Sequence, residues 1–134
     1  MRKRIGVFVC HCGINIAGVV KVPELVGEIK KIPGVISAMD YVYCCSDPGQ
    51  NLIKRTIKSE GLEGIVVACC SPSLHEATFR KAASEAGLNP YLCEIANIRE
   101  QCSWVTNDRD AATEKALGIV KTVIAKVRED LPLE

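Results

Sequence analysis

The sequence lacks most of the features that would assign a function quickly. It carries no excess charge. Lys and Arg number 17 against 16 Asp and Glu, a formal net charge of +1, so there is no electrostatic case for nucleic acid or an anionic membrane as partner. Its longest apolar runs fall far short of the ~20 residues that a membrane-spanning helix needs. Met1-Arg2-Lys3-Arg4 is basic, but the apolar run behind it is short and leads straight into Cys10-His11-Cys12. That reads as a first strand rather than a secretion signal. The connection Cys12-Gly13-Ile14-Asn15-Ile16-Ala17-Gly18 lacks the G-x-G-x-x-G pattern of a dinucleotide loop. No Ser–His–Asp arrangement is recognisable, and no internal repeat, low-complexity tract or linker stands out. The 134 residues, 48% hydrophobic and 25% charged, suit a single domain, 1–134, with one core.

What the chain does have is eight cysteines. Such counts arise in secreted disulfide scaffolds or in metal and redox sites of intracellular proteins. Disulfide scaffolds are loop-rich, whereas this chain is strongly periodic and shows no secretion signal. The expectation is therefore a cytoplasmic metal or redox protein.

The periodicity predicts four strand–helix pairs. Arg4 to Cys10 is a nearly continuous apolar strand. Pro23 opens a helix with Val22, Leu25, Val26 and Ile29 as its stripe, stopped by Pro33-Gly34. Val35 to Tyr43 is a second strand anchored by Val35, Ile36, Tyr41 and Val42. Ser46-Asp47-Pro48 caps a second helix, with Leu52, Ile53 and Ile57 inward and Gly61 at its end. Ile65 to Ala68 is the third strand. Ser73-Leu74-His75-Glu76 reads as a capping box for a third helix marked by Leu74, Ala77, Ala82 and Ala86 and ended by Gly87. Pro90 to Ile95 is a short fourth strand. Asn97-Ile98-Arg99-Glu100 starts a short helix or turn carrying Cys102. Asn107 or Asp108 caps a last helix with Ala112, Ala116, Ile119, Val120, Val123, Ile124 and Val127 inward, and Pro132 closes it. Crossovers of this length imply an α/β fold: a four-stranded, mostly parallel sheet with helices on both faces, Rossmann- or flavodoxin-like.

Ligands of such sheets lie outside the carboxyl ends of the strands. Cys10, Cys12, Cys45 and Cys70 fall there, each at or just past the end of an apolar run. Three predicted helices, opening near Pro23, Ser46 and Ser71-Pro72, begin beside those thiols, and helix N-termini favour negative charge. Four thiolates converging on one point would hold a four-iron cluster. Strand alternation sends the members of Cys44-Cys45 and Cys69-Cys70 to opposite faces, and the second members lie nearer the loops. Cys93 reads as packing. His11 and His75 read as hydrogen-bonding neighbours of the site or, alternatively, as zinc ligands with the cysteines. Arg99 and Trp104 are placed to tune or shield an anionic cluster. Two other readings stay open: a thiol–disulfide protein or sensor using the vicinal pairs Cys44-Cys45 or Cys69-Cys70, and a zinc-stabilised assembly scaffold.

Five segments in order carry a resemblance: Val7-Phe8-Val9-Cys10-His11-Cys12-Gly13; Cys45-Ser46-Asp47-Pro48-Gly49-Gln50; Cys70-Ser71-Pro72 with His75-Glu76; Asn89-Pro90-Tyr91-Leu92; and Ala96-Asn97-Ile98-Arg99-Glu100-Gln101-Cys102-Ser103-Trp104. Together they resemble the amino-terminal domain of the large iron–sulfur flavoprotein of heterodisulfide reductase, its A-type component. The resemblance implies one [4Fe–4S] cluster, electron transfer between a flavin module and a heterodisulfide-reductase-type partner, and Cys10, Cys12, Cys45, Cys70 and Cys102 as motif cysteines. That is one more than a cluster needs. Cys44, Cys69 and Cys93 stand where the family is expected to have other residue types. Members of the family continue into FAD-binding and ferredoxin-like domains that this sequence lacks. The chain alone is expected neither to bind FAD nor to bifurcate electrons. Its expected partners are heterodisulfide-reductase-type subunits, a separate FAD-binding subunit, or a second copy of itself.

Overall fold

The computed structural model describes residues 3–131, save for the side chains of 72–74. The expected contributions of Leu74, the Ser73 cap and Pro132 lie outside that description. Four parallel strands form one sheet in the order β2-β1-β3-β4: β1 (Ile5–Cys10), β2 (Val35–Tyr41), β3 (Gly64–Cys69) and β4 (Cys93–Asn97). The helices are α1 (Val22–Lys30), α2 (Asp47–Glu60), α3 (Pro72–Glu85) and α4 (Arg109–Glu129). A 3-10 turn, Pro90–Leu92, precedes β4, and a π-helical turn, Arg99–Ser103, follows it.

The core has two layers because the central strands are covered on both faces. Every residue of β1 and β3 is buried, as their near-continuous apolar runs require. On one face Val7, Val9, Val66 and Ala68 meet α1 and α4, through Leu25, Ile29, Val120 and Ile124. On the other Phe8, Ile65 and Val67 meet α2 and α3, through Ile53, Ile57, Phe79 and Ala83. Among the described residues no helix is long and apolar enough to cross a membrane.

Several local expectations are met. Ser46 caps α2 by accepting from the Gly49 amide, and Gly61 ends it in the left-handed region at φ 60°. Asp108, rather than Asn107, caps α4.

Other expectations are corrected. β2 is an edge strand and ends at Tyr41, so Ile36 and Val42 are exposed and Ala38 is its buried residue. Ala77 is exposed, and Phe79, Ala82 and Ala83 supply the inward face of α3. β4 begins at Cys93 because Asn89 accepts a hydrogen bond from the Tyr91 amide and winds Pro90–Leu92 into a turn. The start of α1 is tied to α4: the Lys21 amide donates to Thr113 Oγ1 and its ammonium pairs with Asp110 at 2.5 Å.

Candidate functional site

Cys10 is the last residue of β1 and lies on the Phe8 face, two residues along the same side of the strand. The chain then turns sharply. Cys12 and Gly13 both take positive φ, 50° and 62°, a conformation uncommon for a cysteine. The amides of His11 and Gly13 donate to the carbonyls of Tyr41 and Val42, so this loop prolongs the pairing of β1 with the end of β2. A Cβ at Gly13 would lie 2.6 Å from the Tyr43 hydroxyl, so the turn is confined as well as left-handed.

The second cysteine pair lies past the end of β2 in a turn. The Ser46 amide and hydroxyl both donate to the Tyr43 carbonyl, and Gln50 Nε2 donates to the Cys45 carbonyl at 2.7 Å. Gly49 lets α2 approach closely; a Cβ there would stand 2.4 Å from the Tyr43 carbonyl oxygen. Strand alternation does not reach Cys44 and Cys45, because the strand has ended. Both belong to the Phe8 face, Cys44 fully buried and Cys45 partly. Cys69 and Cys70 are likewise on that one face. The pairs differ in depth rather than in side of the sheet.

The thiols at this end interact. Cys10 Sγ accepts from the amides of Cys12 at 3.3 Å and Cys44 at 3.4 Å. With a hydrogen bond from the Cys44 thiol as the largest cause, its pKa falls to about 6 against the opposing effect of burial. Cys70 falls to about 7, chiefly through the Cys69 thiol and also through the charge of Arg99. The donors Cys44 and Cys69 are pushed far upward, first by these hydrogen bonds and then by burial. Cys45 is raised by burial and by the neighbouring Cys10, Cys70 and Cys12. In each interacting pair the shallower thiol is lowered and the deeper one raised.

Arg99 enters from the turn after β4. Its Nη1 lies 3.1 Å from Cys12 Sγ, and its guanidinium stacks 4.3 Å from the centre of the Trp104 ring. Trp104 Nε1 donates to Asn15 Oδ1 at 3.4 Å, and Asn15 Nδ2 donates to the Cys12 carbonyl at 3.1 Å. Glu100 holds Arg99 Nε at 2.9 Å with one oxygen and the Ser71 amide at 3.1 Å with the other. Asn15, Glu100, Cys44 and Cys69 are members of this constellation that the sequence pattern does not mark as cluster neighbours.

The structure thus brings Cys10, Cys12, Cys45 and Cys70 to one end of the sheet, with Arg99 and Trp104 beside Cys12. Cys102 is elsewhere. The π-helical turn closes through amide bonds from Ser103 to Ile98 and from Trp104 to Arg99. This spacing puts Ile98 and Cys102 together in the α4 layer and leaves Arg99 for the thiols. Cys102 is fully buried, burial raises its pKa, and its Sγ lies 3.1 Å from the Ala112 carbonyl. Cys93 is also fully buried, and burial raises it to about 12. His11 pairs with Asp40 at 2.6 Å, and His75 packs edge-on against Phe79. Among the described residues no three His, Cys, Asp or Glu side chains close tightly enough to grip a single metal ion.

The fold and its thiols define a class: a parallel α/β domain with cysteines gathered at the carboxyl ends of its strands. Within that class the chain is similar, over nearly its whole length, to the A subunits of heterodisulfide reductases. The second iron-sulfur A subunit of CoB–CoM heterodisulfide reductase from Methanopyrus kandleri is 58% identical over 126 residues, 93% of this chain and 19% of that protein. The A subunit of the H(2):CoB-CoM heterodisulfide,ferredoxin reductase of Methanothermobacter thermautotrophicus is 54% identical over 132 residues, 98% of this chain and 20% of that protein. The iron-sulfur A subunit of CoB–CoM heterodisulfide reductase from Methanocaldococcus jannaschii is 50% identical over 135 residues, with 98% and 20% covered. The chain spans about a fifth of the length of these curated relatives. No family model matches it.

Proposed function

We propose that the domain binds one [4Fe–4S] cluster through Cys10, Cys12, Cys45 and Cys70 and serves as an electron relay within a heterodisulfide-reductase-type complex. The observation that carries this reading is the gathering of those thiols at one end of the sheet. The names of two of the relatives, which include the words "iron-sulfur", support it.

The residues fit such a group. Thiols are the ligand type such clusters take, and Cys10, Cys12, Cys45 and Cys70 are neighbours at one end of the sheet. The cluster would supply a site that takes up and gives back one electron at a time. The chain's own residues do the rest. The amides of Cys12 and Cys44 donate to Cys10 Sγ and would stabilise negative charge there. α2 and α3 begin just after Cys45 and Cys70, and helix N-termini favour negative charge nearby. The buried thiols Cys44 and Cys69 line the inner wall, where water is excluded.

Exposed apolar and aromatic side chains stand among the polar ones near the thiols: Ile14 follows the Cys12-Gly13 turn, Val42 and Tyr43 precede Cys44, and Trp104 stacks on Arg99. This suits close approach of another subunit, and the relatives' names call them subunits of heterodisulfide reductases. Protein prepared without oxygen is expected to show a broad visible absorption that bleaches with dithionite. Colourless protein that instead loses two thiols reversibly on mild oxidation would replace the cluster with disulfide chemistry.

A further inference from the structure

We propose that Arg99, clamped by Glu100 and Trp104, is the fixed positive charge that sets how readily this site accepts an electron, with Glu100 as its positioning residue. The inference rests on the cluster reading above and deepens it.

Arg99 is the cation in contact with a proposed ligand, 3.1 Å from Cys12 Sγ. Only 14% of its side chain is exposed, so water screens its charge weakly and its Coulomb effect is large. Adding an electron increases the negative charge of the site by one. A fixed cation beside it favours that state over the oxidised one.

Placement depends on contacts from three segments. Glu100 bridges the Ser71 amide, next to Cys70, and Arg99 Nε. Trp104 covers the guanidinium face and is itself tied through Asn15 to the Cys12 loop. The clamp therefore spans the ends of β1, β3 and β4. An arginine's planar fork can hold Cys12, Glu100 and the ring together; a lysine is a point charge and cannot.

Glu100 gives the inference a diagnostic sign. Acting as a bare negative charge, it would oppose reduction, and neutralising it would make the site easier to reduce. Acting by holding Arg99, its loss frees the cation and makes reduction harder.

The test is an electron paramagnetic resonance redox titration of anaerobically reconstituted full chain, with iron counted in every sample. At the wild-type midpoint, Arg99→Gln is expected to lower the reduced-to-oxidised ratio about tenfold, equivalent to about 59 mV for one electron. Arg99→Lys should recover part of that loss. Glu100→Gln should lower the ratio too, despite removing a negative charge. An unchanged ratio in Arg99→Gln, or a raised one in Glu100→Gln, overturns the proposal. Should Arg99→Gln fail to load iron, Arg99→Lys and Glu100→Gln decide by the same criteria.

Trp104 is the one tryptophan in the chain and gives a readout independent of the cluster. In metal-free protein its fluorescence should change in both Arg99→Gln and Glu100→Gln, and an unmoved signal in the latter removes the positioning role. Iron-loaded protein with unmoved ratios overturns this inference alone. Wild type that takes up no iron overturns the cluster reading and this inference with it.

Discussion

Replacing Cys10 with serine is expected to empty the site, while replacing Cys102 leaves it full. Cys10 is the hub of the arrangement: it ends one of the two central strands, accepts two backbone amides and faces the Cys44 thiol. A serine hydroxyl there is a poor iron ligand, so iron should fall from about four per chain to near none. Cys12→Ser, Cys45→Ser and Cys70→Ser should each lose most of it. Cys102 lies in the α4 layer, and its sulfur contacts the Ala112 carbonyl. Cys102→Ser keeps a donor of similar size, so it should retain full iron and lose only about 1 kcal/mol of stability. Cys44→Ser and Cys69→Ser should also keep the cluster. Iron counted on folded protein checks the series. Full iron in Cys10→Ser, or none in folded Cys102→Ser, would show the ligand set to be wrong.

Phe8→Ala should be the most damaging core substitution, costing about 3–5 kcal/mol, a large part of the roughly 5–15 kcal/mol typical of a domain. Phe8 is 1% exposed on a central strand. It shares its layer with Ile53, Ile57, Val67 and Phe79, from β3, α2 and α3. No single neighbour can collapse into the space it leaves, so the cavity term adds to the lost burial. Cys10 lies on the same face, so the substitution should also loosen the wall behind the thiols. Urea unfolding of metal-free protein reads the effect as a lower midpoint at unchanged slope. Leu131→Ala, at a strongly exposed position past the end of α4, should stay within about 0.5 kcal/mol of wild type. A loss under about 1 kcal/mol for Phe8→Ala would contradict the two-layer core.

The architecture is legible in the sequence because β1 and β3 are buried on both faces and their apolar runs announce it. Gly61, Gly87 and Ser46 mark helix ends through local chemistry that needs no tertiary context. β2 is harder. Ile36 and Val42 have strand-like character, yet an edge strand leaves them exposed. The position of Cys10, Cys12, Cys45 and Cys70 follows from the parallel-sheet rule alone.

Cys102 cannot be placed that way. Its direction depends on the π-helical turn, which shifts residues around the axis relative to an α-helix. The same turn hides Glu100, whose place in a capping-box-like stretch suggests a helix start. Its oxygens instead hold Arg99 and Ser71. Alternation predicts opposite faces for each vicinal pair, and nearness to the loops favours Cys45 and Cys70, but alternation stops where the strands end, and Cys44 and Cys69 face the same layer as their neighbours.

The most direct test of the cluster reading is the iron and acid-labile sulfide content of the chain, prepared or reconstituted strictly without oxygen. The expected result is about four of each per chain, bound to folded protein and lost in Cys10→Ser. One zinc per chain with no sulfide, or no metal after reconstitution, would contradict it.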